Sequence, residues 1–181
     1  NSEQSTIETT SGLLKATRAS NGVTVNMGRA LLEWSEIPLA NKTDTLHVAL
    51  SEGILSDPVC VNVGNPHIVY FVDKLENIPL DILGPRIEHN DLFPQRTNVD
   101  VVKVINKNNL KIRVWERGAG ITQACGSGAC AALVAGCRRG LNERQARVEV
   151  DGGVLEIEWK EDGCVLMTGP TAITFTGSWP L

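Results

Sequence analysis

Between Glu116 and Gly136 the chain reads ERGAGITQACGSGACAALVAG, a cysteine set between glycines and followed without interruption by alanine, leucine and valine. Residues 128–139 therefore predict a helix of small and apolar residues, and such a helix is stable only when buried. The rest of the chain must then supply its cover. It does so with strands. Residues 6–10, 13–18 and 23–27 are β-rich runs separated by Ser11-Gly12 and Asn21-Gly22, the second a strong hairpin signal. Residues 59–73, VCVNVGNPHIVYFVD, are β-branched on both sides of Gly64-Asn65-Pro66, as two buried strands or one broken strand would be.

Further along, residues 98–105 and 110–116 predict a hairpin, and residues 148–150 and 154–159 flank a second turn at Asp151-Gly152-Gly153. Residues 164–167 and 172–176 complete the strands. Residues 79–89 predict an amphipathic helix with proline in its first turn, interrupted by Gly84-Pro85. The fold class that follows is α+β, a mostly antiparallel or mixed sheet wrapped around a central glycine- and alanine-rich helix. Residues 28–57 lack clear periodicity, and Ile37-Pro38 reads as an extended crossing, so a lobe boundary is placed near residues 38–43.

A length of 181 residues allows a real core in one or two lobes. The formal charge of -4, with both signs scattered, gives no electrostatic footprint for nucleic acid or an anionic membrane. No apolar run approaches the roughly 20 residues of a bilayer span, so a cytoplasmic protein with a small-molecule partner is expected. Five cysteines, at 60, 125, 130, 137 and 164, have no pairing rhythm and argue against a disulfide framework. Three histidines stand in no ligand spacing, so no metal site is expected.

Chemistry concentrates at Ala124-Cys125-Gly126-Ser127-Gly128. Two glycines permit a sharp turn, and the helix beyond points unpaired N–H groups at whatever lies beside Cys125. Such a site suits a carboxylate, and the same field is expected to lower the thiol pKa from its usual value of about 8.5. The competing reading is a small-residue turn that merely packs a helix against a sheet. Gly118-Ala119-Gly120 is no nucleotide loop, since the third glycine and any Gly-Lys-Ser/Thr are missing. Asn65 and His67 lie in the most apolar strand region, where each needs a partner or a ligand. Arg96-Thr97-Asn98 opens a strand, and Glu116-Arg117-Gly118 closes one. Together with the helix start, these groups would suit a zwitterionic amino acid, its carboxylate on N–H groups and arginine, its ammonium on glutamate.

The segments VGNPHIV, QRTNVDVV and VWERGAGITQACGSGACAA, in this order, resemble the second half of the diaminopimelate epimerase family. VTVNMGRA near the start and MTGPTAITFTG near the end are similar to it as well. The resemblance implies a cofactor-free enzyme that inverts one α-carbon between LL- and meso-diaminopimelate, in lysine and peptidoglycan-precursor biosynthesis, using two cysteines on opposite faces of that carbon. It implies that Cys125 is one of these acid/base groups and that Gly126 and Ser127 bind the α-carboxylate. Glu116 would receive the ammonium group, while Arg117, Asn98 and Asn65 hold the substrate and His67 sits near the reacting centre.

The family's other catalytic cysteine belongs to a Cys-Gly-Asn-Gly turn, which these 181 residues do not contain. The chain also opens on Asn1. The expectation is therefore a fragment: residues 1–38 as the end of a first lobe, 39–169 as the second lobe, and 170–181 as a strand returning to the first. Its expected partners are diaminopimelate and the N-terminal half, an arrangement compatible with a homodimer. Three alternatives stay open: a proline racemase-like two-cysteine enzyme, a non-catalytic scaffold lobe, and a thiol hydrolase with His67 as base. Against the last, the sequence offers no clear orienting partner for His67.

Overall fold

The computed structural model describes residues 3–9 and 12–178. Three antiparallel strands open it, β1 (Gln4–Thr9), β2 (Gly12–Ala19) and β3 (Gly22–Arg29). The Asn21-Gly22 turn joins the last two as its sequence predicts; the first turn, at Ser11-Gly12, and the end of its strand at Thr10 fall partly outside the described residues. Residues 59–73 form two strands rather than one broken strand, β4 (Val59–Asn62) and β5 (Pro66–Phe71), reversed at Gly64, whose φ of 104° is a conformation glycine adopts without strain.

Helix α1 (Leu80–Glu88) follows, then β6 (Asn98–Asn106), β7 (Asn109–Glu116) and the short β8 (Gly120–Thr122), which no sequence signal announced. The central helix α2 (Gly126–Arg138) precedes β9 (Gln145–Val150), β10 (Gly153–Trp159) and β11 (Cys164–Gly169). Helix α1 runs through Gly84-Pro85 instead of breaking there. Pro85 gives up one backbone hydrogen bond, and Gly84 lets the helix lie against Trp115, whose ring a Cβ at position 84 would meet at 2.5 Å.

The strands order as β1-β2-β3-β11-β10-β9-β7-β6-β5-β4, with β8 added beside β7. Most pairs are antiparallel; β5 with β6 and β7 with β9 are parallel, so the sheet is mixed. A bridge between Leu31, just past β3, and Asn62 at the end of β4 brings the two flanks together, and the curled sheet encloses α2. Residues 128–136 of that helix are all buried, as an apolar surface on every side demands. The sheet runs continuously across residue 38, because β3 pairs with β11. Residues 172–176 do not form the expected strand. Among the described residues no strand pairs with them, and Ile173 and Phe175 are 86% and 85% exposed.

Alternation along the buried strands sorts side chains between two cores. Val69 and Val102 face α2, while Ile68, Tyr70, Val99 and Val101 join Leu80, Leu83 and Ile87 of α1 on the outer face. His67 and Asp100 share the parity of Val69 and Val102, and parallel pairing sets His67 opposite Asn98, two residues before Asp100. Both polar side chains are thereby delivered to the inner face, beside the start of α2. No helix among the described residues is long and apolar enough to cross a membrane.

Candidate active site

Cys125 is the N-cap of α2. It has extended backbone angles, is 6% exposed, and its Sγ accepts a hydrogen bond from Gly128 N at 3.3 Å. Ala129 N already bonds Cys125 O, so the N–H groups of Gly126 and Ser127 remain at the helix start for an anionic ligand. The glycine at 128 has a definite cause. A Cβ there would stand 2.8 Å from Asp100 Oδ1 and 3.1 Å from Val114 Cγ2, both deep in the core. At Gly126 the obstacle is only Met167 Sδ, at 2.8 Å on a flexible side chain.

From Cys125 a line of polar groups leads inward. Cys125 Sγ lies 3.5 Å from Ser127 Oγ, which lies 3.1 Å from His67 Nε2. The same nitrogen is 3.0 Å from Asn65 Oδ1, and His67 Nδ1 is 2.7 Å from Asp100 Oδ2. His67 and Asp100 are both fully buried, and among the described residues Asp100 Oδ1 has no hydrogen-bond partner. Burial pushes the Asp100 carboxyl above its usual range, opposed by His67.

The Cys125 thiol is pushed up to about 11, chiefly by burial and next by the Asp100 carboxylate; the hydrogen bonds from Ser127 and Gly128 oppose this and Glu116 adds to it. This reverses the expectation that the helix start lowers it. The dipole acts over the first turn, but a thiol removed from water with a carboxylate behind it gains less from that field than it loses in solvation. The other thiols are also free. Cys60 and Cys130 are wholly buried and raised by desolvation, while Cys137 lies on the last turn of α2 and Cys164 opens β11.

A cleft of about 390 Å³ brings together Asn65, Arg117 and Ser127 with Gly64, Met27 and Leu14. Glu116 closes β7 with the inner-face parity of Val114, and its Oε1 accepts from Thr122 Oγ1 at 2.5 Å. Arg117 is exposed and donates from Nη1 to Gln95 O at 2.9 Å. Asn98 is 2% exposed and committed to backbone: its Oδ1 accepts from Arg117 N and its Nδ2 donates to Pro66 O, each at 2.9 Å. It fixes the turn that carries Arg117 and keeps one amide hydrogen for other use.

Two acids in this region carried no role in the sequence reading. Asp100, set among valines in a strand that must be buried, gives the same signal as His67 but was passed over inside QRTNVDVV. It is the orienting partner of His67 that a thiol hydrolase would need; against that activity, His67 Nε2 approaches Ser127 and Asn65 rather than Cys125 Sγ. Glu88, at the end of α1, accepts from Trp115 Nε1 at 2.7 Å and from Gly118 N at 3.0 Å, tying the helix to the turn after β7. Among the described residues no cluster of three or more His, Cys, Asp or Glu could hold a metal ion.

Residues 59–174 match the family model described as diaminopimelate epimerase. The chain belongs to the diaminopimelate epimerase family. It is 57% identical over 173 residues to a diaminopimelate epimerase of Rhodospirillum centenum, covering 95% of this chain and 60% of that protein. With the diaminopimelate epimerase of Erythrobacter litoralis the identity is 46% over 177 residues, covering 98% and 66%. The chain thus spans 60% and 66% of the length of these two relatives. Among solved structures, a hydroxyproline epimerase from Agrobacterium vitis with bound trans-4-hydroxy-L-proline shares the fold at a TM-score of 0.64 and 15% identity, covering 94% of this chain and 57% of that one. A predicted epimerase from Pseudomonas aeruginosa shares it at 0.55 and 18%, covering 94% and 64%.

Proposed function

We propose that this chain carries one half of a cofactor-independent epimerase site that interconverts LL- and meso-diaminopimelate, in lysine and peptidoglycan-precursor biosynthesis. One observation carries the reading most: the Cys125 thiol caps α2 beside the first backbone N–H groups of the helix, next to a cleft lined by Asn65, Arg117 and Ser127. Inversion of an α-carbon needs one group to remove the proton and a second, on the opposite face, to return one. Cys125 is one of them. The α-carboxylate rests on the N–H groups of Gly126 and Ser127, where the helix dipole also stabilises the negative charge that develops as the proton leaves.

Glu116 takes the ammonium group. Arg117 and Asn98 are directed to the distal, unreacting end, Asn98 also steadying the turn that carries Arg117; Asn65 holds the substrate, and His67 stands near the reacting centre. The second acid/base cysteine lies outside these 181 residues. In support, the other four cysteines are either fully buried, as Cys60 and Cys130 are, or placed at the far end of α2 and on β11, as Cys137 and Cys164 are. The corresponding division takes residues 1–38 as the end of a first lobe, 39–169 as the second, and 170–181 as a segment that returns to the first. The exposed Ile173 and Phe175 suit such a return, since apolar side chains in the open favour a partner surface.

The test is the complete enzyme with Cys125→Ser, followed by NMR of α-proton exchange into diaminopimelate in deuterated water. Epimerisation is expected to fall below detection, and near-normal turnover would remove Cys125 from the mechanism. The 181-residue chain alone is expected to give no turnover. The orientation of His67 by Asp100 keeps one second reading in view, a thiol hydrolase; an acyl group trapped on Cys125 by mass spectrometry would favour it over the epimerase.

A further inference from the structure

Asn62 ends β4, just before the turn whose last residue is the cleft residue Asn65. We propose that Asn62 is a positioning residue of the substrate site, fixing the turn that delivers Asn65 to the cleft. This rests on the reading of Asn65 as a substrate contact and deepens it by naming what keeps Asn65 in place.

The turn between β4 and β5 cannot close in the ordinary way. Its last register pairs Asn62 with Pro66, and proline has no N–H to give across the ladder; the Asn62 carbonyl is taken instead by Leu31 N at 2.8 Å. Between them lies Val63-Gly64-Asn65. Val63 is buried in the core around α2, but Gly64 is exposed with a φ of 104°, and glycine leaves a turn many alternative conformations. Across the turn the backbone makes a long bond, Val63 N to Asn65 O at 3.3 Å.

The Asn62 side chain holds what the backbone leaves loose. Its Oδ1 accepts from Gly64 N at 2.9 Å, and its Nδ2 donates to Glu36 O at 2.7 Å. Gly64 N can only donate and Glu36 O can only accept, so the amide fits one way round and cannot swing while both bonds stand. Glu36 is itself anchored, next to Ile37 at 1% exposure and beyond the bridge of Leu31 with Asn62. The turn is thereby tied to the core on one side, and on the other Asn65 Oδ1 lies 3.0 Å from His67 Nε2. Asn65 then stands half-buried on the cleft wall with Arg117 and Ser127, whereas Asn62 is not among the residues that line it. Any effect of Asn62 on substrate passes through the turn.

The test is a double-mutant cycle in the complete enzyme, read from initial rates of epimerisation of LL-diaminopimelate. Asn62→Ala is expected to raise KM about fivefold, the equivalent of one lost hydrogen bond, and to leave kcat within about twofold. Asn65→Ala raises KM as well, and in its background Asn62→Ala adds no further rise, because no amide is left to position. Asn62→Ser, whose hydroxyl takes the Gly64 N–H but cannot reach Glu36, is expected to bring KM back to within about twofold of the parent. A role confined to stability lowers kcat through the share of folded enzyme and leaves KM alone; that result, or KM effects that multiply in the double variant, overturns the proposal. Should Asn62→Ala fail to fold by circular dichroism, Asn62→Gln takes its place in the cycle with the same expected rise, since its amide stands one methylene too far out to hold Gly64 N. If Asn65→Ala alone leaves KM unchanged, the reading of Asn65 as a substrate contact fails and the positioning role falls with it. If Asn65→Ala raises KM and Asn62→Ala does not, the positioning role alone falls.

Discussion

Glu88→Ala tests how the cleft turn is held. Glu88 is 2% exposed at the end of α1, and its two carboxylate oxygens serve different donors: Oε2 the Trp115 indole at 2.7 Å, Oε1 the Gly118 backbone at 3.0 Å. A hydrogen bond to a charged acceptor contributes about 1.5–3 kcal/mol, so two give about 3–6 kcal/mol. Gly118 is exposed and Trp115 only half-buried, so water can replace part of what is lost and the lower end applies. The Arg96 ion pair, at 3.6 Å with Arg96 54% exposed, adds little. Glu88→Ala is therefore expected to cost about 3 kcal/mol in urea unfolding followed by tryptophan fluorescence, and Glu88→Gln, which keeps one acceptor oxygen, about half of that. The same turn carries Arg117, fixed otherwise by Asn98 Oδ1 and Gln95 O, so under the proposed function diaminopimelate binding to the complete enzyme should weaken along with stability. A loss of stability below about 1 kcal/mol in Glu88→Ala would refute the view that this acid holds the turn.

Gly136→Ala should destabilise although alanine is the better helix former by about 1 kcal/mol, because its Cβ would collide with Asn142 Oδ1 and displace an amide that donates to Leu133 O and Glu143 O, for a net loss of about 1–2 kcal/mol in the same unfolding experiment. A variant as stable as the parent would show that Asn142 moves aside freely. Alkali should weaken the fold: Cys125, Cys60 and Cys130 hold their protons more tightly folded than unfolded, so their stabilisation is whole below about pH 8.5 and drains as pH rises beyond it, through about 11 for Cys125. A melting temperature that stays level from about pH 8 to about pH 10.5 would contradict this. In the native chain Cys60 and Cys130 should resist iodoacetamide until urea unfolds it, and prompt labelling of either would mean that the sheet around α2 opens readily.

What the sequence determined by itself was the local grammar. The small-residue helix after Cys125, the Asn-Gly and Asp-Gly-Gly turns and the β-branched runs each depend on neighbours in the chain, through backbone sterics and short-range periodicity, and most reappear within a few residues of where the sequence puts them. The glycine at 64 and the motif around Cys125 pointed to a site for the same reason. Tertiary structure decided what depends on register and enclosure. Which face of β6 carries Asp100 follows from parity, but that this face meets α2, and that His67 arrives two residues out of step from the parallel neighbour β5, is set by pairing between strands separated by more than 25 residues. The curl that joins Leu31 to Asn62 seals α2 from water, and that sealing reversed the expected direction of the Cys125 pKa. Residues 172–176 fail in the opposite way: their pattern suits a strand, but a strand is a property of two segments, and none of the described residues pairs with them.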